Sequence, residues 1–243
     1  MSPWFSFAFF NMSIAENVAV LRGRVAAAAR RAGRNAGDIV LMGVSKTFPA
    51  NAIREAYAAG IRVFGENRVQ EFAGKSEALA DLRDAEWHLI GHLQSNKANK
   101  AAELFQAVDS VDSLKLAERL DSAAAAVGKK LRILIEINIG GESAKTGLAP
   151  DSPEMEQLLQ AAPRLEHIEI CGLMAIPPFA ENPEETRPYF RKLRELRDSI
   201  QLRELHDFSL NVLSMGMSHD FEIAIEEGST CVRVGTGIFG TRT

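Results

Sequence analysis

At 243 residues, the chain is long enough to bury a sizeable core and suits one large domain. Its 28 basic and 32 acidic residues leave a formal charge of −4 with no lysine or arginine block, which speaks against nucleic acid as a partner. The two cysteines, Cys171 and Cys231, lie inside apolar runs and read as small buried residues of a reducing, cytoplasmic compartment, not as a disulfide or metal pair.

Residues 1–12, MSPWFSFAFFNM, are apolar but short. They carry no basic stretch and no small-residue cleavage site, and a membrane span needs about 20 apolar residues. They are expected to be a disordered extension, with Met12 as the working start and no membrane role. Residues 13–243 are then the folded barrel. A first helix is expected over Ile14–Ala32, with Val18, Leu21, Val25 and Ala29 on one stripe. Strands follow near Ile39–Val44, Ile61–Phe64, Trp87–Ile90, Ala107–Val111, Arg132–Asn138, Ile168–Leu173, Asn211–Ser214 and Cys231–Val234. Helices alternate with them near Ala50–Ala59, Val69–Leu82, Ser95–Glu103, Ser113–Val127, Pro153–Ala161, Pro183–Leu202 and His219–Glu226. No linker or short repeat interrupts the series.

Strict βα alternation implies a parallel sheet with helices outside. Eight such units predict an α/β fold of the (β/α)8 TIM barrel type; an open doubly wound sheet is the alternative. After the eighth strand only Gly235–Thr243 remain, too few for a covering helix. The helix before the first strand is expected to cover that place.

Barrel sites form at the C-terminal ends of the strands. The first strand delivers Lys46 there, after the apolar run Ile39–Val44. An amine emerging from apolar surroundings becomes nucleophilic. The eighth strand ends in Arg233-Val234-Gly235-Thr236-Gly237, a glycine-rich turn suited to an anion. First and last strands of a barrel are neighbours, so amine and turn should share one pocket. Ser218 is placed to open the helix expected from His219, either as a plain cap or with its hydroxyl on the same anion. A lysine beside a phosphate cradle suggests a phosphorylated aldehyde held as a Schiff base, with pyridoxal phosphate the first candidate. Gly235–Gly240 also spells G-x-G-x-x-G, but no helix and no acidic residue ~20 positions on are expected after it, so it is not read as a dinucleotide fingerprint. Polar residues concentrate at this face, and the opposite connections read as ordinary surface loops.

Six segments, Val44–Thr47, Phe64–Glu71, Trp87–Lys97, Gly172–Pro177, Leu213–Ser218 and Val232–Gly240, resemble the pyridoxal phosphate homeostasis protein family. Its fold is like the barrel domain of alanine racemase. They run in order through nearly the whole chain after Met12. The resemblance implies that Lys46 forms an internal aldimine with pyridoxal 5'-phosphate. It further implies that Arg233 faces the pyridine nitrogen, that Gly235, Thr236 and Ser218 hold the phosphate, and that Asn67 lies near the ring. Leu89, where the family often has Phe or Met, and Asn99-Lys100-Ala101, which lacks the usual aliphatic residue, concern packing on the barrel wall.

An arginine does not take the proton of the ring nitrogen, so the ring stays a poor electron sink. Racemases with this arrangement need a second acid/base group on the opposite ring face. In alanine racemase it comes from an additional β domain, and none is expected in the sequence up to Thr243. Tyr57 and Tyr189 fall in predicted helices, leaving His92 as the nearest substitute by position. The expected function is reversible binding, buffering and transfer of the cofactor to apoenzymes without robust catalysis. A single-domain racemase and a Schiff-base phosphosugar aldolase or lyase are the alternatives. Acidic helices such as Pro183–Leu202 read as solvated faces, so a monomer is expected.

Overall fold

The computed structural model describes residues 12–142, 145–203 and 210–240; the extension expected over residues 1–12 lies outside them except for Met12. Eight parallel strands close on themselves in chain order: β1 (Val40–Val44), β2 (Val63–Glu66), β3 (Glu86–Leu89), β4 (Ala107–Val111), β5 (Leu131–Ile137), β6 (Ile168–Ala175), β7 (Val212–Met217) and β8 (Cys231–Val234). The seam is sealed by β1 against β8, with Met42 opposite Arg233 and Gly43 opposite Val234. The barrel expected from the alternation is therefore the observed fold, and the open sheet is not.

Helices wrap the outside: α1 (Ile14–Arg31), α2 (Ala50–Ala58), α3 (Val69–Ser76), α4 (Ala98–Leu104), α5 (Leu114–Ala126), α6 (Pro153–Ala161), α7 (Arg187–Leu202) and α8 (Phe221–Glu226). Short 3₁₀ turns extend α3 and precede α4 and α7. Trp87 shows how the wall is filled: on β3 it packs on Phe64 of β2 and Phe72 of α3, with ring centroids 5.0 and 4.7 Å away. Among the described residues, no helix is long and apolar enough to cross a membrane.

α1 starts in a capping box, in which the Ser13 hydroxyl accepts the Glu16 N–H and the Glu16 carboxylate accepts the Ser13 N–H. Its expected stripe, Val18, Leu21, Val25 and Ala29, is buried. At about 1.5–3 kcal/mol for each large aliphatic side chain, this stripe holds the helix to the wall. α1 lies between α2 and α8. Arg22 donates to the Gly60 carbonyl at 2.7 Å, while Arg24 and Arg31 pair with Glu222 and Glu226 of α8. The helix before β1 thus covers the place of the missing eighth helix.

Three expectations about elements need correction. A helix does follow β8, a single turn α9 (Thr236–Phe239), because the Ile238 and Phe239 amides both donate to the Gly235 carbonyl. Cys231 is buried as expected, but Cys171 is only half-buried. The β5–β6 ladder steps from Ile170 to Gly172 and bulges at Cys171. α7 is amphipathic and not acidic: Phe190, Leu193 and Leu196 are buried, and Arg187, Arg191 and Arg194 all pair with Glu227 at the end of α8.

Candidate functional site

Lys46 stands at the C-terminal end of β1, carried there by the buried residues Met42, Val44 and Ser45, and is itself half-buried at the rim. It takes the second position of a tight turn closed by the Phe48 N–H, which donates to the Ser45 carbonyl at 3.1 Å. The third position, Thr47, has φ +68°. Holding a β-branched residue in that region costs about 1–3 kcal/mol.

On β8, Val232 and Val234 face the core between strands and helices, so alternation sends Arg233 into the barrel. Arg233 is 4% exposed. Its Nη1 donates to the Ser214 carbonyl and hydroxyl at 2.6 and 2.7 Å, and Nη2 donates to the Ala175 carbonyl at 2.9 Å. Three of the five guanidinium N–H groups are thereby committed, and the fork cannot swing. Burial pushes the guanidinium down from its usual value, against the pull of Cys231, Asp109, Asp220 and Glu136.

Gly235 follows at the rim. A Cβ there would lie 3.5 Å from both the Cβ and the carbonyl oxygen of Val44, so the turn after β8 rests on β1 two residues before Lys46. Its φ of −103° is open to any residue. Gly237 is required by packing, since a Cβ would come 2.8 Å from Val234 Cγ1. α9 is tied down by the Asn17 side chain, which donates to the Ile238 carbonyl, and by Phe239, stacked on Phe48 with centroids 4.7 Å apart. That stack joins the turn after β8 to the turn carrying Lys46. A helix start leaves its first amides without intrahelical acceptors, so the N–H groups of Thr236 and Gly237 have no acceptor within α9. The Thr236 hydroxyl donates to the Ser218 hydroxyl there at 3.3 Å.

Ser218 does not cap a helix, contrary to expectation. β7 runs on to Met217, residues 218–220 form a turn, and α8 starts at Phe221. Asp220 takes over the local bonding, its carboxylate accepting the Met217 N–H at 2.7 Å. The Ser218 hydroxyl is left to face Thr236. Asn67, half-buried, lies on the loop after β2. Gly91 lets that loop fold across the end of β3, because a Cβ at residue 91 would sit 2.4 Å from the Asn67 carbonyl oxygen. The structure thus gathers Lys46, Arg233, Gly235, Thr236, Ser218 and Asn67 at the C-terminal mouth.

Of the candidate second bases, Tyr57 bonds Asp84 on the outer face of α2, and Tyr189 is partly buried against the wall in α7. His92 lies at the rim but is half-exposed, with Nδ1 3.4 Å from Asp112. Glu136, which sequence reading missed, is buried at the end of β5. Thr146 donates to its Oε1 at 2.8 Å, and Oε2 has no partner among the described residues. Burial raises this carboxyl above the usual carboxylate range.

The opposite mouth is not a set of plain loops. Inward-facing His88, Asp109, Glu86 and Arg132 line a cavity of about 400 Å³ together with the two cysteines. Arg132 bonds Glu86 at 2.5 Å, and His88 Nδ1 lies 3.0 Å from Asp109. Burial alone would depress the His88 imidazolium; Asp109 and Glu86 override it and lift it to about 9. With a folded value above the ordinary 6.5, the stabilisation from charged His88 is full below about 6.5 and is lost as pH climbs through about 9. The loss should be about 3 kcal/mol. Urea midpoints measured across that window should fall in the original protein more than in H88Q. Parallel declines would show that His88 is not the titrating group.

A family profile described as "Alanine racemase, N-terminal domain" matches residues 15–243. A protein of Aquifex aeolicus named "Pyridoxal phosphate homeostasis protein" is 48% identical over 231 residues, covering 95% of this chain and 99% of its own. The structure of PipY from Synechococcus elongatus, described as having PLP bound, is 41% identical, with a TM-score of 0.82 over 94% of this chain and 100% of its own. An alanine racemase from Streptomyces coelicolor is 23% identical, with a TM-score of 0.66 over 93% of this chain and 59% of its own, a likeness of fold alone.

Proposed function

The chain belongs to the pyridoxal phosphate homeostasis protein family, and from that premise we propose that it binds pyridoxal 5'-phosphate reversibly at the C-terminal mouth of the barrel. It buffers the free aldehyde and passes it to cofactor-dependent apoenzymes in the cytoplasm. When bound, the cofactor supplies an aldehyde that condenses reversibly with a primary amine. Lys46 supplies that amine. Ser218, Thr236 and the amides after Gly235 take the phosphate, Arg233 faces the pyridine nitrogen, and Asn67 borders the ring.

One observation carries this reading. The Gly235 turn rests on Val44, so an anion-binding corner and the strand that delivers Lys46 meet at one rim. The residues also fit the group chemically. Two hydroxyls and a helix start suit a phosphate. The locked, donor-only guanidinium of Arg233 suits an unprotonated ring nitrogen.

The same arginine supports a protein without robust catalysis of its own. It donates to the ring nitrogen without protonating it, and the Tyr57 hydroxyl is committed to Asp84 while Tyr189 packs against the wall. The protein acts as a monomer in this reading.

Borohydride reduction of the cofactor-loaded protein followed by peptide mapping tests it. One phosphopyridoxyl group on Lys46 is expected, together with exchange of amino-acid α-protons no faster than free cofactor gives. Labelling elsewhere would overturn the site. Rapid, stereorandom exchange would establish a racemase.

A further inference from the structure

Beneath the Lys46 turn lies a cluster that the proposed site does not use. Lys75 of α3, its side chain 14% exposed, sends its ammonium among five oxygens. They are the Ser45 carbonyl at 3.2 Å, the Phe48 carbonyl at 3.3 Å, Glu66 Oε1 and Oε2 at 2.9 and 3.1 Å, and Glu71 Oε1 at 3.1 Å. Glu66 is fully buried and also accepts the Ser45 hydroxyl at 2.6 Å. Glu71 Oε1 accepts the Thr47 N–H at 2.5 Å.

Ser45 and Phe48 are the first and fourth residues of the turn, with Lys46 and Thr47 between them. One ammonium therefore clasps both ends of the turn, and one carboxylate holds its strained third residue. Turns with positive φ at that position normally take glycine. Threonine stays there only where surrounding groups over-determine the conformation. Lysine suits the clasp, since a compact ammonium with three rotatable donors can serve oxygens in several directions. A cluster that merely anchored α3 to the sheet would have no need to strain the residue next to the amine.

We propose that Lys75, Glu66 and Glu71 form a positioning brace that holds the Lys46 amine in the orientation needed to capture its aldehyde ligand, by enforcing the left-handed backbone at Thr47. The brace rests on the function proposed above. It acts through Lys46 and does not itself touch the ligand.

The test uses the full-length protein freed of cofactor and mixed with pyridoxal 5'-phosphate. Two quantities are read: the rate at which the protein-bound absorption band appears, and the yield of borohydride-fixed cofactor on Lys46. Lys75→Met should slow capture about tenfold, and Glu71→Ala about threefold, as expected for a displaced nucleophile. Adding Thr47→Gly to either variant should restore capture to within about twofold, because glycine takes positive φ without enforcement. A plain structural anchor would lower thermal stability in these variants, leave capture unchanged and show no rescue by glycine, and that result overturns the brace. If Lys75→Met does not fold, Glu71→Ala and its Thr47→Gly partner decide the matter alone. A wild-type protein that fixes no cofactor on Lys46 removes the functional reading and the brace with it. Normal wild-type capture with unaffected variants removes the brace only.

Discussion

Replacing Lys46 with alanine should weaken binding of pyridoxal 5'-phosphate on the order of 100-fold, about 2.7 kcal/mol, while leaving thermal stability nearly unchanged. The two effects separate because of where the lysine sits. It is half-buried at the rim, in the second position of a turn whose closing bond, from the Phe48 N–H to the Ser45 carbonyl, involves backbone atoms only. The fold loses less than the ligand does, because truncating the side chain leaves that closing bond in place. In the proposed binding mode the ligand loses its covalent partner and keeps only the contacts near Ser218, Thr236 and Arg233. Titration by absorbance and fluorescence, with parallel melting curves, measures both quantities. An alanine variant that binds within threefold of the original would place the covalent link elsewhere. Lys46→Arg offers a second reading of the same point, since it keeps the charge and much of the length but has no primary amine.

Replacing Gly172 with alanine should destabilise the protein by about 4 kcal/mol or more, at the top of the range for single substitutions. A Cβ at residue 172 would lie 1.9 Å from the Val212 carbonyl oxygen and 2.6 Å from the Val212 carbonyl carbon. Both are backbone atoms of β7, paired with β6 at this position, so no rotamer change relieves the clash. Nor can the strand step aside. β6 is paired with β5 along the length of that strand, and a closed barrel passes any displacement to the next seam. Gly128→Ala is the useful contrast, because φ there is +64° but nothing lies within 4 Å of the added carbon. It should cost about 1 kcal/mol through backbone strain alone. Urea denaturation of the cofactor-free protein compares the two. A Gly172→Ala variant no less stable than Gly128→Ala would mean that β6 and β7 can separate at little cost.

Much of the mouth of the barrel is legible in the sequence. Lys46, Arg233 and Gly235 sit at the ends of short Val- and Ile-rich runs, and a strand end is a local property. That first and last strands adjoin follows once the strands number eight. Placing α1 over the gap needed only its apolar stripe and the shortage of residues after β8.

Other features were hidden because they depend on partners distant in the chain. Ser218 looked like a cap from its neighbours, but Asp220 wins the Met217 N–H through the shape of the turn. His88 and Glu66 sit on strands where a charged side chain looks like an interruption. His88 turns into the barrel, where Asp109 of β4 compensates it, and Glu66 turns outward to α3, where Lys75 does the same, each partner being remote in the chain. The exposure of Cys171 is not legible in the sequence, because a bulge leaves no mark in composition. Glycines 91 and 172 are set by backbone approach from other loops and strands, which alternation of apolar residues does not encode.

The order of residues by itself determined the number, kind and succession of elements, and with them a barrel whose strand-end groups include the amine of Lys46 and the glycine-rich turn after β8. Those are consequences of periodicity and turn chemistry, which act over a few residues. Only the tertiary structure decided which charges share the interior, which hydroxyl faces Thr236, and what holds the strained turn beneath Lys46. Each of those depends on the separation of groups from different elements, and a hydrogen bond or a steric clash turns on a few tenths of an ångström that closure of the barrel sets.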